Sequence, residues 1–136
     1  MKISRTVAYA VQATLQLAES PSDTPVPCSH IASEGKLPER FLLQILRHLV
    51  THGILHSTRG VEGGYTLDRR PEDISLLDII EAIEGPLNST LPAEGMLMPY
   101  VGKLQHAVEQ VTETARGQLA AIKLVDLMQN RPAAIA

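Results

Sequence analysis

Apolar residues recur with the 3.6-residue period of an amphipathic helix in three segments of the first half of the chain. These segments are residues 3–20, 28–35 and 37–53. Ser4 is a candidate N-cap for the first, because its hydroxyl can accept a backbone N–H of the opening turn. Gly35 and Gly53 are predicted to end the second and third, and Pro38 lies in the first turn of the third. The proline-rich segment 21–27 is predicted to be a loop.

The pattern changes after Gly53, where two short apolar runs flank a glycine-rich stretch. Residues 54–69 are therefore predicted to form a β-hairpin, with Gly60, Gly63 and Gly64 near its turn.

Helical periodicity returns in the second half of the chain. Residues 71–85 predict a helix that is capped by Ser75 and stopped by Gly85. Residues 86–99 predict a loop, and residues 100–116 predict a long helix.

The long helix has an apolar stripe with successive spacings of three, four, three and four residues. The stripe consists of Val101, Leu104, Val108, Val111 and Ala115. Its spacing suits contact with another helix, from a second copy or from the same chain. Gly117 is predicted to interrupt the helix, and residues 119–128 are predicted to form a last helical stretch.

The order helix, short helix, turn, helix, hairpin, helix is that of a winged helix-turn-helix. The predicted fold class is therefore mainly α with a small β-hairpin, followed by a long helix. We expect a DNA-binding domain over residues 1–85, a loop over 86–99, and the long helix with a closing helix over 100–136. In this fold the helix at 38–52 would be the recognition helix, and the hairpin would be the wing.

The helix at 38–52 divides into two faces at 100° per residue. Its core-facing residues are Leu42, Ile45, Leu46 and Leu49. The opposite face carries Arg40, Gln44, Arg47, His48 and Thr51, and no carboxylate. Arginine and glutamine can bind base edges in the major groove, so this face predicts DNA contact. The alternative is a solvent-exposed surface that happens to lack acidic residues.

The hairpin offers polar side chains near its tip. Arg59 can enter a narrow minor groove, and Ser57 and Thr58 can donate hydrogen bonds to phosphates. The glycines would let the backbone approach DNA closely. Tyr65 is expected to pack at the base of the hairpin rather than to touch DNA.

Composition restricts the class of protein further. The net charge is −3, but residues 36–59 hold four Lys or Arg and a single acidic residue, which suits a local phosphate-facing surface. Only 3 % of the residues are aromatic, so the core is expected to be aliphatic.

No apolar run approaches the ~20 residues of a membrane span, and the first residues do not read as a signal peptide. One cysteine, Cys28, fits a reducing cytoplasm, so we expect a cytoplasmic protein with no membrane partner.

Three stretches of the sequence resemble the Rrf2 family of bacterial winged helix-turn-helix transcription regulators. They are ISRTVAYAVQATLQLA, IASEGKLPERFLLQILRHLVTHGILHSTRGVEGGYTL and ISLLDIIEAIEGP. The family's wing motif, Arg-Gly-x-x-Gly-Gly-Tyr, occurs here from Arg59 to Tyr65. The resemblance implies a homodimeric regulator, expected to be a repressor, with double-stranded DNA and a second copy as partners. It also implies that the long helix at 100–116 is a dimerisation helix, which pairs with its mate from the other subunit. The implied DNA contacts are Pro38, Arg40, Gln44, Ser57 and Arg59. The geometry of the recognition helix adds Arg47 to them.

Iron–sulfur members of this family hold their cluster with three cysteines in the loop before the long helix. That loop has no cysteine here, so we expect neither a cluster nor another cofactor. Cys28 is interpreted as a small half-buried residue rather than a thiol sensor. His48 and His52 have the spacing of a metal-binding pair, with His56 as the nearest third candidate. An ordinary helix surface is the preferred interpretation, and no metal site is predicted.

No phosphate-binding loop, nucleophile elbow or plausible carboxylate pair indicates catalysis, so the protein is not expected to be an enzyme. Glu81 and Glu84 are interpreted as the solvated face of a helix. Two alternatives to a DNA reader stay open. One is a winged-helix module that binds proteins instead of DNA. The other is a sensor of an unknown small molecule, with a pocket formed by the loop at 86–99 and its Met96 and Met98.

Overall fold

The computed structural model describes residues 1–20, 23–92 and 94–129. These residues form six α-helices and a two-stranded antiparallel hairpin, as the predicted fold class requires. The helices are α1 (Arg5–Ala18), α2 (Cys28–Gly35), α3 (Glu39–Thr51), α4 (Leu76–Glu84), α5 (Met98–Ala121) and α6 (Leu124–Leu127). The strands, which lie between α3 and α4, are β1 (Leu55–Thr58) and β2 (Gly64–Leu67). A 3₁₀ turn at Pro71–Asp73 precedes α4.

Two helices begin at side chains that the sequence identified as caps. The Ser4 hydroxyl accepts the Val7 N–H at 3.2 Å. At the start of α4, the Ser75 hydroxyl accepts the Asp78 N–H at 3.0 Å, and the Asp78 carboxylate accepts the Ser75 N–H at 2.9 Å. Both caps satisfy N–H groups that have no partner within the helix, so both predictions are confirmed.

In the turn between α2 and α3, Gly35 does not take the left-handed conformation that is expected of a glycine that ends a helix. Gly35 is the last residue of α2, but the left-handed conformation falls on Lys36, with a φ of 54°. A Cβ on Gly35 would lie 2.2 Å from the Gln16 Oε1. The Gly35 carbonyl also accepts a hydrogen bond from the Gln12 side chain at 2.8 Å. A side chain at this position would therefore displace the Gln16 and Gln12 amides, which lie between α2 and α1.

The hairpin is attached to Val26, two residues before α2 begins. In its register, Leu55 pairs with Leu67 and Thr58 pairs with Gly64. On the outer edge of β2, the Val26 N–H donates to the Tyr65 carbonyl at 3.0 Å, and the Tyr65 N–H donates to the Val26 carbonyl at 2.9 Å. The wing is thus fixed by backbone hydrogen bonds to the start of the helix-turn-helix.

The long helix α5 passes through Gly117 without a break, so the predicted interruption there is wrong. A Cβ at Gly117 would meet nothing within 4 Å, and the residue is exposed. A glycine in a helix interior costs about 1 kcal/mol relative to alanine, and the rest of the helix outweighs that cost.

The real break comes at Ile122, where the chain pairs with the segment before α4. The Leu76 N–H donates to the Ile122 carbonyl, and the Leu124 N–H donates to the Ile74 carbonyl, both at 2.8 Å. The predicted last helical stretch is therefore divided between the end of α5 and the single turn of α6. Residues 130–136, which the closing segment was expected to include, lie outside the described residues.

The core is aliphatic, as the composition predicted. Every buried hydrophobic residue among those described is Ala, Val, Ile or Leu. The largest cluster joins the first four helices to the hairpin, and Leu124 of α6 reaches into it. A second cluster packs α5 on this unit and consists of Val7, Leu77, Ile80 and Leu119. In the part of the chain that the structure describes, no helix is long and apolar enough to cross a membrane.

Candidate nucleic-acid interface

Helix α3 has the inner and outer faces that its sequence predicts. Its core-facing residues, three leucines and one isoleucine, are buried: Leu42, Ile45, Leu46 and Leu49. The polar residues of the opposite face are all exposed: Arg40, Gln44, Arg47, His48 and Thr51. Pro38, which is also exposed, is the N-cap residue and makes no side-chain cap. The outer face therefore presents hydrogen-bonding groups to solvent along its whole length.

The arginines on this surface have no carboxylate partner among the described residues. Arg40 and Arg47 on α3, and Arg59 on the wing, form none of the ion pairs there. Arg69, Arg70 and Arg116 do have carboxylate partners, as Arg69 has in Asp78 at 3.2 Å. Guanidinium groups without an internal partner keep all their donors available for an external anion.

The glycines of the wing are required by the chain itself. A Cβ on Gly63 would lie 2.1 Å from the Thr58 carbonyl oxygen, and one on Gly64 would lie 2.4 Å from the Val26 carbonyl carbon. Only Gly60, with a φ of +110°, has open space where a Cβ would be. The expected reason for these glycines, close approach to DNA, is therefore not needed for Gly63 and Gly64, because internal packing already excludes a side chain.

The tip of the wing exposes the polar groups that were singled out. Ser57, Thr58 and Arg59 are all exposed. Tyr65, in contrast, is half-buried and packs against the main core. The expectation that this tyrosine supports the hairpin is confirmed.

Tyr65 also marks the point at which the wing, α2 and α3 meet. Burial is the main cause of the raised pKa of its phenol; the Cys28 thiol raises the pKa further, and the Arg47 guanidinium lowers it. Charges act at this strength only over short distances, so residues from three elements lie together here. One of them, Arg47, belongs to the outer face of α3.

Cys28 is half-buried, as expected. Its Sγ lies 3.9 Å from the Glu39 carbonyl oxygen. Burial, and secondly the Glu39 carboxylate, raise the pKa of the thiol. The thiol is therefore protonated at neutral pH, which is the opposite of what a reactive cysteine needs.

The apolar stripe of α5 is divided between two surfaces. Val101, Val108 and Ala115 are half-buried against their own chain, whereas Leu104 is 42 % exposed and Val111 is 69 % exposed. The exposed apolar residues follow a spacing of four, three and four, and we call them the exposed stripe. The exposed stripe consists of Tyr100, Leu104, Ala107 and Val111.

The half-buried side of α5 is covered by the segment that leads away from α4. The Ser89 hydroxyl donates to the Val108 carbonyl at 3.2 Å, and the Gln105 side chain donates to the Ser89 carbonyl at 3.3 Å. Ser89 also contacts the Thr112 hydroxyl. These bonds hold one side of α5 against its own subunit. None of them involves the exposed stripe.

A second anchor of α5 is an ion pair that the sequence analysis missed. The Arg116 guanidinium binds the Glu81 carboxylate and also donates to the Leu87 carbonyl at 3.2 Å. The same carboxylate accepts the Leu87 N–H at 2.8 Å. The interpretation of Glu81 as part of a solvated face is therefore wrong. Arg116 and Glu81 are 35 positions apart, so no local spacing could have revealed the pair.

Neither the histidines nor the methionines form the sites that were considered for them. Among the described residues, no group of three or more His, Cys, Asp or Glu could hold a metal ion. The His52 Nδ1 lies 2.9 Å from the His48 carbonyl oxygen, within its own helix. Met96 is 38 % exposed and Met98 is 78 % exposed, so these two side chains do not line an enclosed pocket.

Comparison with known proteins supports the winged-helix assignment. The sequence profile of the Rrf2 family, described as an iron-dependent transcriptional regulator, matches residues 3–130. A Mycobacterium tuberculosis protein named as an HTH-type transcriptional regulator, Rv1287, is 39 % identical over 102 residues. The alignment covers 75 % of this chain and 63 % of that protein. The HTH-type transcriptional regulator CymR of Bacillus subtilis is 35 % identical over 88 residues, which are 65 % of this chain and 64 % of CymR. The chain thus spans less than two thirds of the length of these curated relatives.

Solved structures share the fold over nearly the whole chain. The structure of B. subtilis CymR, titled as the global cysteine regulator of that organism, superposes with a TM-score of 0.75 at 29 % identity. It covers 93 % of this chain and 95 % of CymR. The structure of T. potens IscR superposes with a TM-score of 0.72 at 32 % identity, over 100 % of this chain and 92 % of IscR.

The residues of this chain do not fit the iron that the family description names. Thiolates are the ligands that hold iron–sulfur clusters, and the chain has one cysteine. That cysteine lies at the start of α2, half-buried against the opening of α3. The loop between α4 and α5 contains none. A cysteine-bound cluster of the family's usual kind therefore cannot form within one subunit.

Proposed function

This chain belongs to the Rrf2 family, and on that premise we propose that it is a sequence-specific DNA-binding transcription regulator. Helix α3 would enter the major groove, and the wing would lie at the adjacent minor groove. The observation that carries the proposal is the set of exposed guanidinium groups without a carboxylate partner among the described residues, at Arg40 and Arg47 on the outer face of α3 and at Arg59 on the wing. A surface with this charge, on a protein of net charge −3, is suited to a phosphate backbone.

The six proposed contacts divide between reading bases and binding the backbone. Arg40 and Gln44 would reach base edges, since arginine pairs with guanine and glutamine with adenine in the major groove. Pro38 would bring the start of α3 close to the DNA. Arg47 and Ser57 would bind phosphates. Arg59, at the wing tip, would enter the minor groove, where narrowing concentrates negative potential.

We further propose that the protein acts as a homodimer. The exposed stripe of α5 has the four-three-four spacing of a helix-pairing surface, and Val111, its last residue, is 69 % exposed. Such a stripe on one copy is complementary to the same stripe on a second copy, as a twofold interface requires. Residues 1–85 would then form the DNA-binding unit, and residues 100–136 would contain the dimerisation helix and the closing segment.

We propose that the protein represses transcription. We also place it in the cytoplasm, where bacterial DNA is found. A dimer that occupies a promoter excludes other proteins from the same DNA without needing any contact with them. The cations without a carboxylate partner favour this assignment over a module that binds only proteins, because the outer face of α3 and the wing carry side chains suited to reading bases and binding phosphates.

Selection of genomic DNA fragments by the purified protein tests the proposal. We expect enrichment of a sequence with twofold symmetry, because a dimer presents two identical recognition helices. Enrichment of no sequence, with the protein folded by circular dichroism, would contradict the proposal and favour the protein-binding alternative.

Two substitutions on α3 then separate the two kinds of contact. Gln44→Ala should relax the base preference at one position of each half-site, because the side chain is proposed to read a base. Arg47→Ala should weaken binding to all sequences about equally and reduce the salt slope by roughly one unit. Arg70→Ala is the matched control, since it removes an exposed cation that is already paired with Asp73 at 3.0 Å. The control should bind like the parent protein.

A further inference from the structure

Two apolar side chains lie exposed on α3 beside its polar outer face. Phe41, the only phenylalanine of the chain, is 63 % exposed, and Leu43 is 36 % exposed. At 100° per residue, the two side chains fall on opposite flanks of the strip formed by Arg40, Gln44 and Arg47. The proposed DNA-reading surface is therefore not uniformly polar, since it has an apolar group on each side.

Leu43 lies closer to the centre of the reading surface than Phe41 does. It follows Arg40 by three positions and precedes Arg47 by four, so it is adjacent to both on the helix surface. Neither arginine has a carboxylate partner among the described residues. If the two guanidinium groups meet DNA, the leucine that adjoins both of them is brought against the DNA in the major groove as well.

A leucine can recognise only one kind of group in the major groove. It has no donor or acceptor, so it cannot bind the N7, O6, N6 or N4 atoms that identify the other bases. The 5-methyl group of thymine is the apolar feature of the groove, and apolar side chains read it by direct contact. Placing Leu43 against a polar base edge would instead leave that edge without a hydrogen-bond partner.

We propose that Leu43 is a specificity-determining residue that contacts the 5-methyl group of a thymine in each half-site. The inference rests on the proposed function, because it requires α3 to lie in the major groove. It adds one fixed base to the target sequence. The thymine lies within reach of the segment between Arg40 and Arg47, and it is recognised through its methyl group alone.

Replacement of single thymines by deoxyuridine tests this directly, because the exchange removes the methyl group and keeps the base pair. The probe is the DNA sequence enriched from the genomic fragments, with one symmetric pair of thymines replaced at a time. Affinity is measured by fluorescence anisotropy. We expect one thymine position at which the parent protein loses about three- to fivefold in affinity for each methyl group that leaves the contact.

The variants assign that loss to a side chain. Leu43→Ala should bind the all-thymine DNA more weakly and show no further loss with deoxyuridine at the sensitive position. Leu43→Met, which keeps an apolar side chain of similar length, should retain the loss. Phe41→Ala is the matched control, because it removes the other exposed apolar group of α3, and it should also retain the loss. Circular dichroism confirms the folding of each variant.

Two results would overturn the inference and leave the proposed function standing. One is that the parent protein keeps its affinity when deoxyuridine replaces any thymine of the enriched sequence. The other is that the Leu43→Ala variant loses as much affinity on the exchange to deoxyuridine as the parent protein does. A parent protein that enriches no DNA sequence would refute the proposed function, and this inference would be refuted with it.

Discussion

The attachment of the wing to the start of the helix-turn-helix can be broken by adding one methyl group, in Gly64→Ala. A Cβ at this position would lie 2.4 Å from the Val26 carbonyl carbon, 2.5 Å from the Val26 oxygen and 2.7 Å from the Pro27 nitrogen. All three atoms are backbone atoms, so no side chain can rotate away. The wing and the Val26–Pro27 segment must therefore separate by about 1 Å to reach ordinary contact.

The expected loss of stability has two parts. Forcing an extra carbon into a packed site typically costs about 1–3 kcal/mol. The separation also weakens the two hydrogen bonds between Val26 and Tyr65, at 3.0 and 2.9 Å, and each is worth about 0.5–1.5 kcal/mol. Since the two parts overlap, we expect about 2–4 kcal/mol in total. For a domain of this size, that is a decrease in Tm of roughly 5–15 °C.

Thermal unfolding followed by circular dichroism measures this loss, and fluorescence anisotropy measures its effect on DNA binding. Gly64→Ala should bind the enriched DNA more weakly even at a temperature at which it is fully folded, because Arg59 moves with the wing. Unchanged Tm in Gly64→Ala would refute the argument, since it would mean that the wing is not held against Val26.

Four further predictions concern other parts of the molecule. Gly117→Ala should raise the stability by about 0.5–1 kcal/mol, because the residue is helical and exposed; thermal unfolding that shows a decrease would contradict the continuous α5. Val111→Glu should shift the protein from dimer to monomer in sedimentation, and an unchanged dimer would show that the exposed stripe is not the interface. Arg116→Ala should lower the urea-unfolding free energy by about 1–3 kcal/mol, because it leaves the half-buried Glu81 carboxylate without its partner; no change would mean that the pair does not anchor α5. Cys28 should react with iodoacetamide at pH 8 more slowly in the folded protein than in urea, because burial and Glu39 raise its pKa and reduce the thiolate fraction; equal rates would contradict the burial of the thiol.

The features that the sequence predicted correctly are those that depend on local spacing. The buried face of α3 follows from the positions of its leucines at 100° per residue, and the structure buries them. The caps at Ser4 and Ser75 follow from side chains that bond the backbone three residues away. The exposure of the candidate DNA contacts is the other half of the same helical pattern, so it could be predicted as well.

The features that the sequence did not predict depend on residues that are distant along the chain. The end of α5 is set by the pairing of Ile122 with Leu76 and not by the weak helix propensity of Gly117. Gly64 is required because Val26 lies against it, 38 positions away. The division of the α5 stripe likewise depends on the segment around Ser89. Periodicity identifies an apolar stripe, but it does not show which part of the stripe the chain itself covers.

The wing arginine provides the most direct test of the central claim that this surface reads DNA. Arg59 is exposed and makes no ion pair among the described residues, so Arg59→Ala should leave the Tm unchanged. Fluorescence anisotropy on the enriched DNA, at several salt concentrations, should show a loss of about 1–3 kcal/mol in specific binding. Arg59→Ala that folds and binds this DNA as tightly as the parent protein would contradict the account.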